Sequence, residues 1–229
     1  MRWLWPSRGS NGYENMNTRT TTAWLPLFVL LTAFHAQADS LIEGSVEAGY
    51  AKAITCTACH GAAGNSVNPL WPNIAGQSAS YILAQLQAFK PDTAGKSLRS
   101  DPLMTPQSMM LSDQDMRDLA VYFESLPAAA MAVADPAKVD KGQALYRGGD
   151  TASSAAACLA CHGPTGRGNP AANYPALQGQ HAMYTAKQLR DYAAETRTSD
   201  GKTRIMRDIA ARLSDDDINA VASYVQGLK

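Results

Sequence analysis

The chain has 229 residues with 20 basic and 20 acidic side chains, so its formal net charge at pH 7 is zero. That balance lacks the basic excess of a nucleic-acid binder, and no nucleic-acid partner is expected. Only four cysteines are present, and their placement narrows the chemistry more than any bulk property.

In chain order, Arg19 precedes a mainly apolar run, Ala23–Phe34, which is followed by Ala36-Gln37-Ala38. A charged segment, a short apolar stretch and an A-x-A site predict a secretory signal over residues 1–38, cleaved after Ala38 on export to the periplasm. The run is shorter than the roughly 20 residues a membrane-spanning helix needs. Met16 sits where such signals usually begin, so the residues before it read as an upstream extension. The exported chain, 39–229, carries 17 basic and 19 acidic side chains, a net of −2.

A short helix around Val46–Ala53 leads into Cys56-Thr57-Ala58-Cys59-His60. This C-x-x-C-H pentapeptide returns as Cys158-Leu159-Ala160-Cys161-His162, and the two copies use every cysteine. In c-type haem attachment two thiols bond the porphyrin and the adjoining histidine ligates its iron. Cys56, Cys59, Cys158 and Cys161 are therefore candidates for holding two haems c, with His60 and His162 on the irons. Zinc is a rival for four cysteines, but the gap from Cys59 to Cys158 is too long for a knuckle or ribbon and leaves both histidines unexplained. Thioredoxin-like sites would need strand–helix–strand surroundings, and structural disulfides remain the blandest use of cysteine in an exported chain.

The two pentapeptides belong to a longer duplication. At an offset of 102 the motifs superpose; Trp71-Pro72-Asn73-Ile74-Ala75-Gly76-Gln77 matches Tyr174-Pro175-Ala176-Leu177-Gln178-Gly179-Gln180 at 103, and Met104 meets Met206 at 102 again. A middle helix shows as the stripe Ile82, Leu86, Phe89, repeated by Thr185, Leu189, Tyr192. The last helix of each half starts at an N-cap serine, Ser112 or Ser214, with an aspartate three residues on, the capping-box spacing. Its apolar stripe is Met116, Leu119, Ala120, Phe123 and Leu126, then Ile218, Val221, Ala222, Val225 and Leu228, at i, i+3, i+4, i+7 spacing. Pro127 stops the first copy, and 127–136 reads as a linker. A helix over Lys138–Tyr146 and a loop over Arg147–Ala157 precede the second motif, making that approach nine residues longer than the first. No alternating strand pattern appears, so the fold class is all-α, in two domains at 39–133 and 134–229. The first carries a net charge of −4 and the second +2, which reads either as a dipole that orients encounters or as ordinary surface variation.

Each iron needs a sixth ligand. His181 is the only histidine of the exported chain outside the motifs, so two bis-histidine irons are impossible, and its counterpart Ser78 cannot ligate; His181 reads as a surface or haem-propionate contact. Met104 and Met206 lie 44 residues beyond His60 and His162 and are the only methionines the repeat pairs, which points to both as axial ligands. Met109 and Met110 read as flexible core packing. Pro72 and Pro175 carry two readings, a simple turn or a carbonyl acceptor for the Nδ1–H of the motif histidine.

These residues resemble the cytochrome c4 family: both C-x-x-C-H motifs, the two x-P-x-[IL]-x-G-Q segments, GQHAMYTAKQLRDY and RIMRDIAARLSDDDINAVASYVQGL. The resemblance spans almost all of 48–228. It implies two class I cytochrome c domains, each wrapped around one covalently bound haem c, with the haems near the interdomain interface. It further implies iron ligation by His60 with Met104 and by His162 with Met206, and a monomeric periplasmic electron carrier rather than an enzyme. Redox partners such as a terminal oxidase or a quinol-side cytochrome complex, and loose association with the membrane face, are implied too. Arg204 departs from the family, standing where relatives often have an apolar residue. The rivals are a dihaem peroxidase, a gas-binding sensor and the electron-accepting subunit of a dehydrogenase.

Overall fold

The structure, a computed structural model, describes residues 40–229; the predicted signal segment lies outside the described residues. Ten α-helices and only isolated β-bridges occur among them, and no helix there is long and apolar enough to cross a membrane. The first half contains α1 (Val46–Lys52), α2 (Ile54–His60), α3 (Ala79–Phe89), α4 (Met104–Met109) and α5 (Asp113–Glu124). The second repeats the order with α6 (Val139–Gly148), α7 (Leu159–His162), α8 (Ala182–Ala193), α9 (Ile205–Ala210) and α10 (Asp215–Gln226).

The two striped helices are the hubs. α5 packs against α1 and α3, and α10 against α6 and α8. Their stripes form the cores: Leu119, Ala120 and Phe123 with Ile82 and Ala79 in one half, Val221, Val225 and Leu228 with Tyr146 in the other. Each hub is started by the serine–aspartate box: Ser112 Oγ accepts from Asp115 N at 3.1 Å while Asp115 Oδ2 accepts from Ser112 N at 2.9 Å, and Ser214 with Asp217 does the same. Two orphan N–H groups are thereby satisfied at each helix start.

Glycine sets how closely the hub can be approached. A Cβ on Gly49 of α1 would overlap the Asp118 carbonyl of α5, and one on Gly142 of α6 would overlap the Ala220 carbonyl of α10. Against these contacts stack Tyr50 on Tyr122, with ring centroids 5.8 Å apart, and Tyr146 on Tyr224 at 5.6 Å.

Three features differ from expectation. α6 runs two residues past Tyr146, because the chain leaves it only at Gly149, whose φ of 70° no helix continues through. The long approach to the second motif then folds back on itself: Asp150 and Ala155 exchange both backbone hydrogen bonds at 2.9 Å, and the Asp150 carboxylate accepts from Ala152 N and Ser153 N. Met109 and Met110, expected in the core, are 58% and 85% exposed; they end α4 on its outer side, and Ser108, not a methionine, fills the buried place there.

Candidate haem sites and the seam between the halves

His60 closes α2 and His162 closes α7, both buried. Each ring rests on a proline carbonyl, His60 Nδ1 to Pro72 O at 2.8 Å and His162 Nδ1 to Pro175 O at 2.9 Å. A carbonyl oxygen can only accept, so Nδ1 carries the proton and Nε2 keeps its lone pair. Neither Nε2 makes a hydrogen bond among the described residues. Burial lowers both imidazoles below the ordinary histidine range, the proline carbonyls oppose it, and the charge of Arg99 lowers His60 further. A neutral ring of fixed tautomer, with one free nitrogen, is the form that ligates a metal.

The prolines are held in place by the turn that follows each motif. Gly64 O accepts from Ile74 N (2.8 Å) and Ala75 N (3.0 Å); Gly166 O accepts from Leu177 N (2.6 Å) and Gln178 N (3.0 Å). The turn and the carbonyl contact at Pro72 and Pro175 are thus two sides of one geometry.

Cys56 and Cys59 lie on α2, Cys158 caps α7 and Cys161 lies on it; all four thiols are free. Cys56 packs against the first core and Cys158 against the second. Burial pushes the Cys158 thiol up to about 11 and raises Cys56 as well. A thioether has no proton to lose, so covalent capture of these sulfurs suits their apolar setting. Among the described residues no group of three or more His, Cys, Asp or Glu side chains converges on a metal-sized space, which removes the zinc reading of the cysteines.

Met104 opens α4 and Met206 is the second residue of α9; both are half-buried. α4 packs on α3 and α9 on α8. An aspartate fixes the approach to each: Asp101 Oδ1 accepts from Leu103 N (2.9 Å) and Met104 N (3.0 Å), while Asp200 accepts from Arg207 N (3.0 Å) and Arg207 Nε (2.8 Å). Arg204, the family departure, stands at φ 53° before α9 and pairs with Glu195 at 2.7 Å.

The halves meet along a polar seam. Gln77 and Gln180, the last residues of the duplicated segments, reach across it in opposite directions. Gln77 pairs with both backbone groups of Ala176 (Oε1 from N 2.8 Å, Nε2 to O 2.9 Å), and Gln180 with both of Asn73 (2.9 and 2.8 Å). His181 is buried at 5% exposure with Nε2 2.8 Å from Ser66 O. Of the two places expected for His181, the surface one is therefore wrong; unlike the paired glutamines, its bridge has no twin, since Ser78 stands at its place in the repeat.

Further along, Arg197 is 3% exposed and is held by Tyr81 OH (2.6 Å), Gln85 Oε1 (2.8 Å), Gln188 Oε1 (2.7 Å) and Ser199 Oγ (3.0 Å). Arg99, half-buried, reaches Tyr184 OH (2.7 Å), Gln188 Oε1 (2.8 Å) and Gln85 Oε1 (3.0 Å). Every one of these acceptors is neutral. Burial alone would raise the Tyr184 phenol, but Arg99 and Arg197 beside it outweigh that and lower it. Two guanidinium ions lacking a carboxylate are an unbalanced charge, and haem brings carboxylates of its own. Free Nε2 atoms, free thiols in C-x-x-C-H spacing, one of each pair packed against a core, and this cationic seam fit two haems c. The glutamines were visible in the repeat, whereas the arginines stand 98 apart, out of its register, and carried no signal.

The family model for Cytochrome c matches the chain twice, over residues 46–127 and 139–229. A cytochrome c4 of Pseudomonas aeruginosa is 49% identical over 185 residues, covering 81% of this chain and 89% of that one. A cytochrome c4 of Azotobacter vinelandii is 47% identical over 192 residues, 81% of this chain and 90% of its own. Among solved structures, reduced recombinant cytochrome c4 from Pseudomonas stutzeri superposes with a TM-score of 0.78 at 45% identity, covering 82% of this chain and all of that one.

Proposed function

Since the chain belongs to the cytochrome c4 family, dihaem electron carriers with two haems c, we propose that it passes single electrons in the periplasm between respiratory donors and a terminal oxidase, by outer-sphere transfer through two closed His/Met irons. His60 with Met104 would hold one iron and His162 with Met206 the other, with Cys56 and Cys59, then Cys158 and Cys161, as the covalent anchors. The haem supplies reversible one-electron exchange at iron; the protein supplies ligands, burial and orientation. The observation that carries this reading is the pair of Nδ1-to-proline contacts at 2.8 and 2.9 Å, which readies one free imidazole nitrogen in each half.

Pro72 and Pro175 orient the rings, and the N-terminal segment 1–38 serves as a cleavable signal. The domains divide at 133/134. A carrier of this kind is a monomer and not an enzyme, since a closed iron offers no place for substrate. Its partners are redox proteins such as a terminal oxidase or a quinol-side cytochrome complex at the membrane face. The acidic first half and basic second half would orient docking that is weak and salt-sensitive, as electron-transfer interfaces are.

Optical spectra of the purified two-haem protein test this directly. The expected result is a pyridine haemochrome for two haems c, a weak red-end band when oxidised, and no spectral change when CO meets the reduced form. Prompt CO binding to either iron would replace the carrier with a ligand-binding or catalytic reading.

A further inference from the structure

We infer that Gln77 and Gln180 are positioning residues that set, across the seam, the donor strength of the opposite half's iron-binding histidine. The inference rests on His60 and His162 being iron ligands, as proposed above.

The contacts already described share one peptide group in each half. The Pro72–Asn73 peptide accepts from His60 Nδ1 at its carbonyl (2.8 Å) and donates from its N–H to Gln180 Oε1 (2.9 Å). The Pro175–Ala176 peptide accepts from His162 Nδ1 (2.9 Å) and donates to Gln77 Oε1 (2.8 Å). Peptide C=O and N–H are conjugated through a C–N bond of partial double-bond character. An acceptor on the N–H therefore moves electron density towards the carbonyl oxygen, and bonds in such a chain strengthen one another by roughly 10–30%. A stronger carbonyl acceptor draws on the Nδ1 proton and makes Nε2 a better donor to a metal.

The glutamines are themselves fixed for this task. Gln77 Oε1 also accepts from Ser78 N at the start of α3, and Gln180 Oε1 from His181 N at the start of α8, both at 3.0 Å. Each Nε2 donates to the carbonyl of the same residue whose N–H it serves, Ala176 O at 2.9 Å and Asn73 O at 2.8 Å. A glutamine that merely joined the halves could bond any exposed backbone group. Both copies instead take the one peptide that supports the other half's histidine, and the duplication places them there twice. The donor strength of each histidine thus depends on the docking of the other half.

The test is Gln77→Met and Gln180→Met in the full two-haem protein, with both reduction potentials measured by spectroelectrochemistry and each iron assigned from its hyperfine-shifted NMR signals. A weaker histidine donor favours the ferrous state. Gln77→Met is expected to raise the potential of the iron held by His162 and leave the other in place; Gln180→Met should do the reverse. General loosening of the seam would move the same iron in both variants or each variant's own half, and either pattern overturns the relay, as do unmoved potentials. Gln77→Glu keeps an acceptor oxygen, so there the potential at His162 must not rise; a rise sinks the proposal even if the methionine variants misfold. Imidazole ring signals in the hyperfine-shifted spectrum of the parent report the ligands separately. Their absence would defeat the His60 and His162 assignment itself, and their presence with potentials that do not exchange would defeat the relay alone.

Discussion

Met104 and Met206 differ from the chain's other methionines in position rather than chemistry. Each is half-buried at the start of a short helix whose approach is tied down by an aspartate, whereas Met109, Met110 and Met183 lie exposed. A thioether is a soft donor that favours ferrous iron and raises its potential. Met206→Ala is expected to remove the red-end band of one haem, lower that iron's potential and open it to CO, leaving the other haem's spectrum intact; an unchanged oxidised spectrum would reject Met206 as the ligand. At this scale the duplication made Pro72 and Pro175 legible, since their carbonyls do take the motif histidines' Nδ1; the same pairing is what singles out Met104 and Met206 as the proposed ligands. His181 was misplaced because its burial comes from Ser66, 115 positions away, a contact that no local pattern records. Arg99 and Arg197 were missed because they stand at different places in their loops, 5 residues before Met104 and 9 before Met206, so the repeat does not pair them.

The helices were legible because their signals are local: a capping serine, an aspartate three residues on and a 3.6-residue apolar stripe all act within one element. The ends were less so, since α6 is ended by a positive-φ glycine and α7 is cut to one turn by the folded-back insertion before it. The caps also carry charge chemistry. Asp115 is held at about 2, down from an ordinary 3.8, by its bonds to Ser112 and Lys52, and Asp216 at about 2 by Lys141 and Lys138. Asp217 is lowered by Lys141 and Ser214. A carboxylate whose folded value lies below its unfolded one contributes stability above the unfolded value and loses it as pH falls through the folded one. The protein should therefore lose stability between about pH 4 and pH 2. Ser112→Ala and Ser214→Ala are each expected to cost about 1 kcal/mol at neutral pH, read as a lower urea midpoint. The Ser112→Ala gap should narrow towards about pH 2, where Asp115 is half protonated, and the Ser214→Ala gap should narrow in the same direction as Asp217 takes up its proton; a constant gap would mean that only the serine hydroxyl matters.

As a whole, the molecule is two similar cores whose seam is mostly polar, and its strength decides whether they behave as one body. Tandem domains joined by a short linker move independently unless their interface is substantial. Here the linker is tied to both halves, Pro127 O accepting from Asn65 Nδ2 and Ala132 O from Gln226 Nε2, and the groups that join the halves directly include the crossed glutamines, Asn73 Nδ2 on Gly179 O, His181, a Thr198-to-Leu98 backbone bond of 2.9 Å and the two arginines. Arg197 is central because one guanidinium binds Tyr81 and Gln85 from the first half and Gln188 from the second while stacking on Tyr192, 4.5 Å from the ring centroid. Arg99 still serves Gln85 and Gln188 when Arg197 is removed, but nothing replaces the donor to Tyr81 OH. Tyr81 is half-buried; a partner shut off from water and left unmet costs about 1–3 kcal/mol, which sets the upper end here, and the loss falls mainly on the contact between halves. The parent two-haem protein should melt in one calorimetric transition. Arg197→Met should split it into two, each core keeping its own hub helix and haem, while Arg99→Met, at a half-exposed site, should only broaden it. Two transitions in the parent, or a single unshifted one in Arg197→Met, would show that the halves are joined by something other than this arginine.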